Sequence, residues 1–232
     1  MTITYLTGLN RLRENLYEPT PSLWSDDELR RYIYEGAKEV ARIIRPTEAK
    51  VSVTVTLGTQ EYTAPTDLIQ LHRAEYTITG SSTTYPLKFR EYNEMDAIWG
   101  TSKTLSRGRP EFLTSWGVVP VCKLILFPTP SANGSLTLYY YNLPPEPTNF
   151  TSNTLNTVAI PVPQGWEDIT LTYGEMRALR ARGQARWREL EEEWFRKLTH
   201  LEALTDAHHD QPGTITPEVP MLPGWAYSGP WY

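Results

Sequence analysis

Three groups of residues in this chain have types and spacings that could do chemistry. His208, His209 and Asp210 could ligate a metal, but two adjacent histidines without further ligands do not make a tetrahedral set. Asp26, Asp27 and Glu28 could act as paired carboxylates. They follow Ser25 at the start of a helical pattern, however, where capping and the positive helix end explain them without catalysis. Arg177, Arg180, Arg182, Arg186, Arg188, Arg196 and Lys197 could meet phosphates. Glu189, Glu191, Glu192 and Glu193 interleave with them at helical spacing, which favours a solvated or subunit-interface face over nucleic-acid contact. No phosphate loop, dinucleotide fingerprint, zinc-protease helix or nucleophile elbow occurs. The expectation is therefore no catalytic residue, no metal and no cofactor.

Cysteine usage points the same way. Cys122 is the single cysteine, so neither an internal disulfide framework nor a cysteine-rich zinc site can form. It lies in the apolar run Val121–Phe127, where a small core residue is expected and not a nucleophile. Asn149-Phe150-Thr151 fits a glycosylation sequon. With no signal-peptide pattern at the N-terminus, we read it as a chance match and expect a protein made in the cytosol.

Composition narrows the class. The chain has 232 residues, 40% hydrophobic and 21% charged, enough for a core of ordinary size. The net charge of −5 gives no basic surplus for nucleic acid or an anionic membrane, and no apolar stretch reaches membrane-spanning length. Eight Trp and 14 Tyr exceed what a core of this size needs and suit docking surfaces. The 19 Pro argue against an all-helical protein.

The elements that position these groups follow from periodicity. Leu6, Leu9, Leu12 and Leu16 predict a short helix within 3–17. After the Pro19 and Pro21 link, a capping box at Ser25 and Glu28 opens a second helix. Leu29, Tyr32, Ile33, Ala37, Val40, Ile43 and Ile44 form its apolar side, and Pro46 stops it. Alternation of Val51, Val53 and Val55 predicts a strand, with Gly58-Thr59 turning Glu61-Tyr62-Thr63 back beside it as a hairpin. Further extended stretches are predicted at 71–78, 85–89, 111–118, 121–127 and 135–142, with a short helix at 92–98. In 144–165 only Val158-Ala159-Ile160 reads as an anchor.

Helical period returns at Trp166. Ile169, Leu171, Tyr173, Met176 and Leu179 predict one helix; Trp187, Leu190, Trp194, Phe195, Leu198 and Leu201 predict another, with a break at Gly183. From Asp206 the prolines at 212, 217, 220, 223 and 230 predict a non-helical tail. That tail carries Met221, Leu222, Trp225, Tyr227, Trp231 and Tyr232, more aromatic character than a solvated tail needs.

This order of elements resembles the head-to-tail adaptors (connector, tail-tubular-A-like proteins) of short-tailed bacteriophages. The resemblance is carried by Leu23-Trp24-Ser25-Asp26-Asp27-Glu28-Leu29 and by Leu57 through Leu68. Leu126-Phe127-Pro128-Thr129-Pro130 and Leu136 through Tyr141 with Pro144 add to it, as do Ile160-Pro161 and the C-terminal helices. It covers roughly residues 5–205. The resemblance implies an α+β fold: N- and C-terminal helices (1–46 and 161–205) forming a bundle, an inserted antiparallel β-domain (47–160), and an extended docking tail (206–232).

It also implies a structural virion protein at the head-tail interface. Copies would form a dodecameric ring that binds the portal, receives the tail nozzle or tube, and touches tail fibres. The bundle would face the portal and the β-domain the tail. DNA would pass through the ring without sequence-specific binding, helped by an acidic surplus that repels it from the wall. Met221, Leu222, Trp225, Tyr227, Trp231 and Tyr232 would anchor in the portal. Arg177, Arg180, Arg186, Arg188, Glu191 and Glu192 would serve as inter-subunit or channel charges. Two readings compete: another head-completion or nozzle component, and a β-rich carbohydrate-binding module with aromatics clustered on one sheet face.

Overall fold

A computed structural model describes residues 3–99, 106–117, 121–151 and 153–209. The fold is mixed α+β, with five α-helices and mainly antiparallel sheets among the described residues. The chain divides into two compact units. One takes Met1–Thr47 and Leu143–Gln211; the other takes Glu48–Asn142 among its described residues.

The first unit is helical. Helix α1 (Tyr5–Asn15) is capped by Thr4, whose hydroxyl accepts from the Thr7 N–H. Tyr5, Leu9, Leu12 and Leu16 turn inward, whereas Leu6 is exposed, a correction to the four-leucine stripe. Tyr5 lies one turn before Leu9 and takes the inward place, which leaves Leu6 at the rim.

Helix α2 (Asp26–Ile44) opens on a complete capping box. The Ser25 hydroxyl accepts from Glu28 N–H at 3.2 Å, and the Glu28 carboxylate accepts from Ser25 N–H at 3.0 Å. Those bonds to Ser25 hold the Glu28 carboxyl below its ordinary range. Ser25→Ala is expected to cost about 1 kcal/mol, read as a lower urea midpoint with unchanged slope. An unchanged midpoint would show that the cap contributes nothing. Leu29, Ile33, Ala37, Val40 and Ile44 are buried, with Tyr32 and Ile43 at the edge.

After the sheets the chain returns to this unit. Phe150, Leu155, Ile160 and Val162 anchor the 144–165 stretch, while Val158 is exposed. The expected anchor therefore reduces to Ile160, whose N–H donates to Ile3 O beside the Thr4–Ala159 bridge. Irregular backbone has no period, so its buried positions cannot be picked out by spacing. Helix α4 (Glu167–Ala181) packs on α1 and α2, and helix α5 (Trp187–His209) packs on α4 and α2. Leu190, Trp194, Leu198 and Leu201 of α5 enter the core; Phe195, predicted with them, is exposed. The non-helical tail was expected from Asp206, yet α5 runs on to His209, because nothing in Asp206–His209 breaks a helix.

The second unit is two four-stranded sheets sharing one apolar core. The first has the order β1 (Glu48–Val55), β10 (Gly134–Asn142), β3 (Leu68–Ile78), β4 (Thr84–Pro86). The second has the order β2 (Glu61–Thr63), β8 (Lys123–Phe127), β7 (Phe112–Trp116), β5 (Lys88–Phe89). The predicted hairpin between 51–55 and 61–63 does not form: β1 pairs with β10 and β2 with β8. The Gly58 turn instead carries the chain from one sheet to the other, because eight residues of β1 find a full antiparallel partner in β10.

Strand β8 is apolar throughout because both its faces are covered. Leu124 and Leu126 enter the core between the sheets; Ile125 and Phe127 pack with Met95 of helix α3 (Tyr92–Trp99). Cys122 is fully buried just before β8, and burial pushes its thiol up, as befits a core residue. Two-residue parallel pairings, β5 with β7 and β6 (Arg107–Gly108) with β9 (Thr129–Pro130), depart from the wholly antiparallel expectation.

Candidate functional site

The basic residues singled out by sequence gather around the corner where α4 turns into α5. The corner is cut by Gly183, whose φ of +68° favours glycine. Gln184 N–H closes the turn onto Leu179 O at 3.1 Å. The segment between Ser22 and Ser25 lies against the same corner. Trp24 is buried there, its indole N–H donating to Ala178 O at 3.2 Å, and Arg182 donates to Leu23 O.

Within this frame the charges separate into those paired inside the chain and those left over. Arg177 bonds Glu35 of α2 at 3.2 Å, and its guanidinium lies over the Tyr32 ring. Arg186 meets Glu175 at 3.1 Å, a close ion pair without hydrogen-bond alignment. Lys197 reaches Asp168 at 2.6 Å and Glu193 at 2.7 Å. Burial pulls the Lys197 ammonium down, but those two carboxylates outweigh it and hold it above its ordinary range. Arg180 and Arg188 have no carboxylate partner among the described residues. Their guanidinium carbons lie 4.9 and 5.6 Å from the centre of the Trp187 ring. Glu191 and Glu192, on the next turn, are likewise without an ion-pair partner among the described residues.

Glu175 is the acid that sequence spacing did not single out. It is 4% exposed and accepts from Asn15 Nδ2 at 3.2 Å. Burial raises its carboxyl against the opposing pull of Arg186 and Asn15. The folded state therefore holds this proton more tightly than the unfolded chain, and stability falls as pH rises through the raised native value. Glu175→Gln removes that dependence. Its urea midpoint relative to the parent is expected to climb as pH rises above the ordinary carboxyl value of 4.5; a difference flat with pH would show that Glu175 titrates normally. No periodic signal could have found it, since a helix position next to Met176 reads as core or surface only once its neighbours are placed.

The remaining expectations sort as follows. Met221, Leu222, Trp225, Tyr227, Trp231 and Tyr232 lie outside the described residues, as does Asp210. Among the described residues no three His, Cys, Asp or Glu side chains are grouped to hold a metal, and no helix is long and apolar enough to cross a membrane. Tyr139 and Tyr141 share the outward face of β10, the arrangement a carbohydrate-binding face needs. Lys50 and Arg73 already lie over the Tyr139 ring at 5.1 and 5.3 Å, and His72 lies against Tyr141.

The family model described as SU10 adaptor protein matches residues 3–217, which takes in both units. The chain belongs to the SU10 adaptor protein family. No curated protein matches it. Membership agrees with the resemblance to phage head-to-tail adaptors carried by the sequence. It makes the protein a structural adaptor component of a bacteriophage virion, associating with other head or tail components. As an SU10 adaptor, the protein has its charged corner and its two units to explain as docking features.

Proposed function

We propose that this SU10 adaptor forms a ring, dodecameric as the resemblance implies, that joins the portal to the tail nozzle or tube at the head-tail interface. The single observation that carries the proposal is the family match running through both units without interruption. On this reading the helical unit meets the portal, through a bundle of α1, α2, α4 and α5. The β unit meets tail components, tail fibres among them. DNA crosses the ring without sequence-specific binding, in keeping with a net charge of −5 per copy. The aromatic tail, with Trp225, Tyr227, Trp231 and Tyr232 at its end, anchors in portal pockets, where each ring buries large area at small entropy cost.

Native mass spectrometry tests this with the full chain and a chain ending at His209, where α5 ends, each alone and mixed with the portal. The full chain is expected to add a complete ring to the portal and the shortened chain to fail. Two chains that both ignore the portal would dismiss the adaptor ring.

A further inference from the structure

Among the described residues, three of the outer strands of the two four-stranded sheets are short. Strands β2 and β4 have three residues each and β5 has two, and β4 ends on Pro86. The remaining outer strand is β1, with eight residues, no proline and an unbroken register against β10. A long, regular edge is a template for another strand, and proteins commonly shorten, bulge or cover the edges they leave bare.

The register shows which backbone groups of β1 are free. Thr79 N–H donates to Asn133 O, one step beyond the Ile78–Gly134 pair. Backbone groups of alternate residues on an antiparallel strand point to opposite sides. Ser135 and Thr137 of β10 therefore bond β3, whereas Leu136 and Leu138 bond their partners Val53 and Val51. Lys50, Ser52 and Thr54 aim N–H and C=O at the open edge, where no described strand meets them.

The side chains are incomplete at the same edge. Ala49, Val51 and Val53 face the core but are only partly buried, since no strand lies beyond them. On the other face Lys50 lies over the Tyr139 ring and has no carboxylate partner among the described residues. A fitting occupant is extended, apolar at alternate positions toward the core, and acidic opposite Lys50.

The chain itself carries such a segment. Thr214-Ile215-Thr216-Pro217-Glu218-Val219 lies in the tail, beyond the described residues. As a strand it would put Ile215, Pro217 and Val219 on one face and Thr214, Thr216 and Glu218 on the other. We propose that residues 214–219 add a strand antiparallel to β1, with Glu218 opposite Lys50. Thr216 and Thr214 then stand opposite Ser52 and Thr54, whose backbone groups are free. Pro217 stands opposite Val51, whose groups are spent on β10, so its missing N–H forfeits no bond. Pro220 would stand opposite Glu48, where an N–H is required, and so ends the strand. A slip of one residue would turn the apolar side chains to solvent and set Pro217 where an N–H is needed. The pairing is independent of what Trp225, Tyr227, Trp231 and Tyr232 bind, because they follow the segment.

Hydrogen exchange resolved to single residues by mass spectrometry tests the added strand. The full chain is compared with a chain ending at His209, where α5 ends. Amides of Lys50, Ser52 and Thr54 are expected to exchange about tenfold or more slowly in the full chain. Thr216→Pro removes an N–H that the register uses and is expected to release them to the rate of the shortened chain. Pro217→Ala is expected to leave them protected.

Equally fast exchange in both chains overturns the proposal. Equal protection in both also overturns it, and shows that another strand, such as β1 of a second copy, holds the edge. Protection that survives Thr216→Pro rejects this segment. A shortened chain that fails to join the portal yet keeps the β1 exchange rates of the full chain overturns the added strand and leaves the adaptor ring standing.

Discussion

Arg13→Ala is expected to destabilise the helical unit by about 3–5 kcal/mol, the range for breaking a buried ion pair from one side. The Arg13 and Glu18 side chains are only 6% and 8% exposed, 3.8 Å apart. Arg13 also donates to Trp24 O at 3.1 Å and to Asp26 at 2.5 Å. The half-exposed Asp26 contributes little. The dominant loss is the charge of Glu18, left in the interior without its cation. Glu18 keeps the N–H groups of Ser22 and Leu23, which sets the expectation at the lower end of the range. Arg13→Met preserves the stem's packing and should cost nearly as much. Arg13→Met with Glu18→Gln should recover a substantial part, since the stranded charge is gone. Urea unfolding followed by far-UV circular dichroism measures all three. Additive costs in the double variant would show that the pair is not coupled.

The consequence reaches past stability. The segment that Arg13 pins also carries Trp24 and Leu23 against the α4–α5 corner. Arg13→Ala is therefore expected to loosen that corner, seen as faster amide exchange around Gly183.

The second large effect separates two helical glycines that look alike in sequence. A Cβ on Gly36 would stand 2.7 Å from Thr170 O and 3.1 Å from Tyr173 Cβ, so α2 and α4 would have to part. A Cβ on Gly8 would meet Ile160 Cδ1 at 2.8 Å, the far end of a side chain that can turn aside. Gly36→Ala is expected to cost about 1–3 kcal/mol from overpacking, and Gly36→Val more. Gly8→Ala should be near neutral, because the ~1 kcal/mol gained in helix propensity offsets the shift of Ile160. Melting temperatures decide it: equal falls for the two alanine variants would mean the α2–α4 approach is not rigid.

What the sequence determined by itself was local. The capping box at Ser25, the apolar faces of α2 and α4, the break at Gly183 and the alternation of β1 depend on neighbours within a few residues, and each stands where spacing put it. The adaptor family was legible too, because the order of elements survives without any single diagnostic motif.

Tertiary structure decided whatever depends on partners distant in the chain. It set which strand β1 joins, since alternation marks a strand's two faces and says nothing of its neighbour. It sent Leu6, Val158 and Phe195 outward and Phe150, Leu155 and Val162 inward, because a residue at the rim of a stripe is buried only if another element covers it. It also sorted one basic cluster into arginines that hold the helices together and arginines left facing out, a distinction made by Glu35 and Glu175. Glu35 lies 142 residues from its arginine, and Glu175 faces Arg186 across the corner. Charge pairing at a turn is a matter of angle and distance, and spacing along the chain does not encode it.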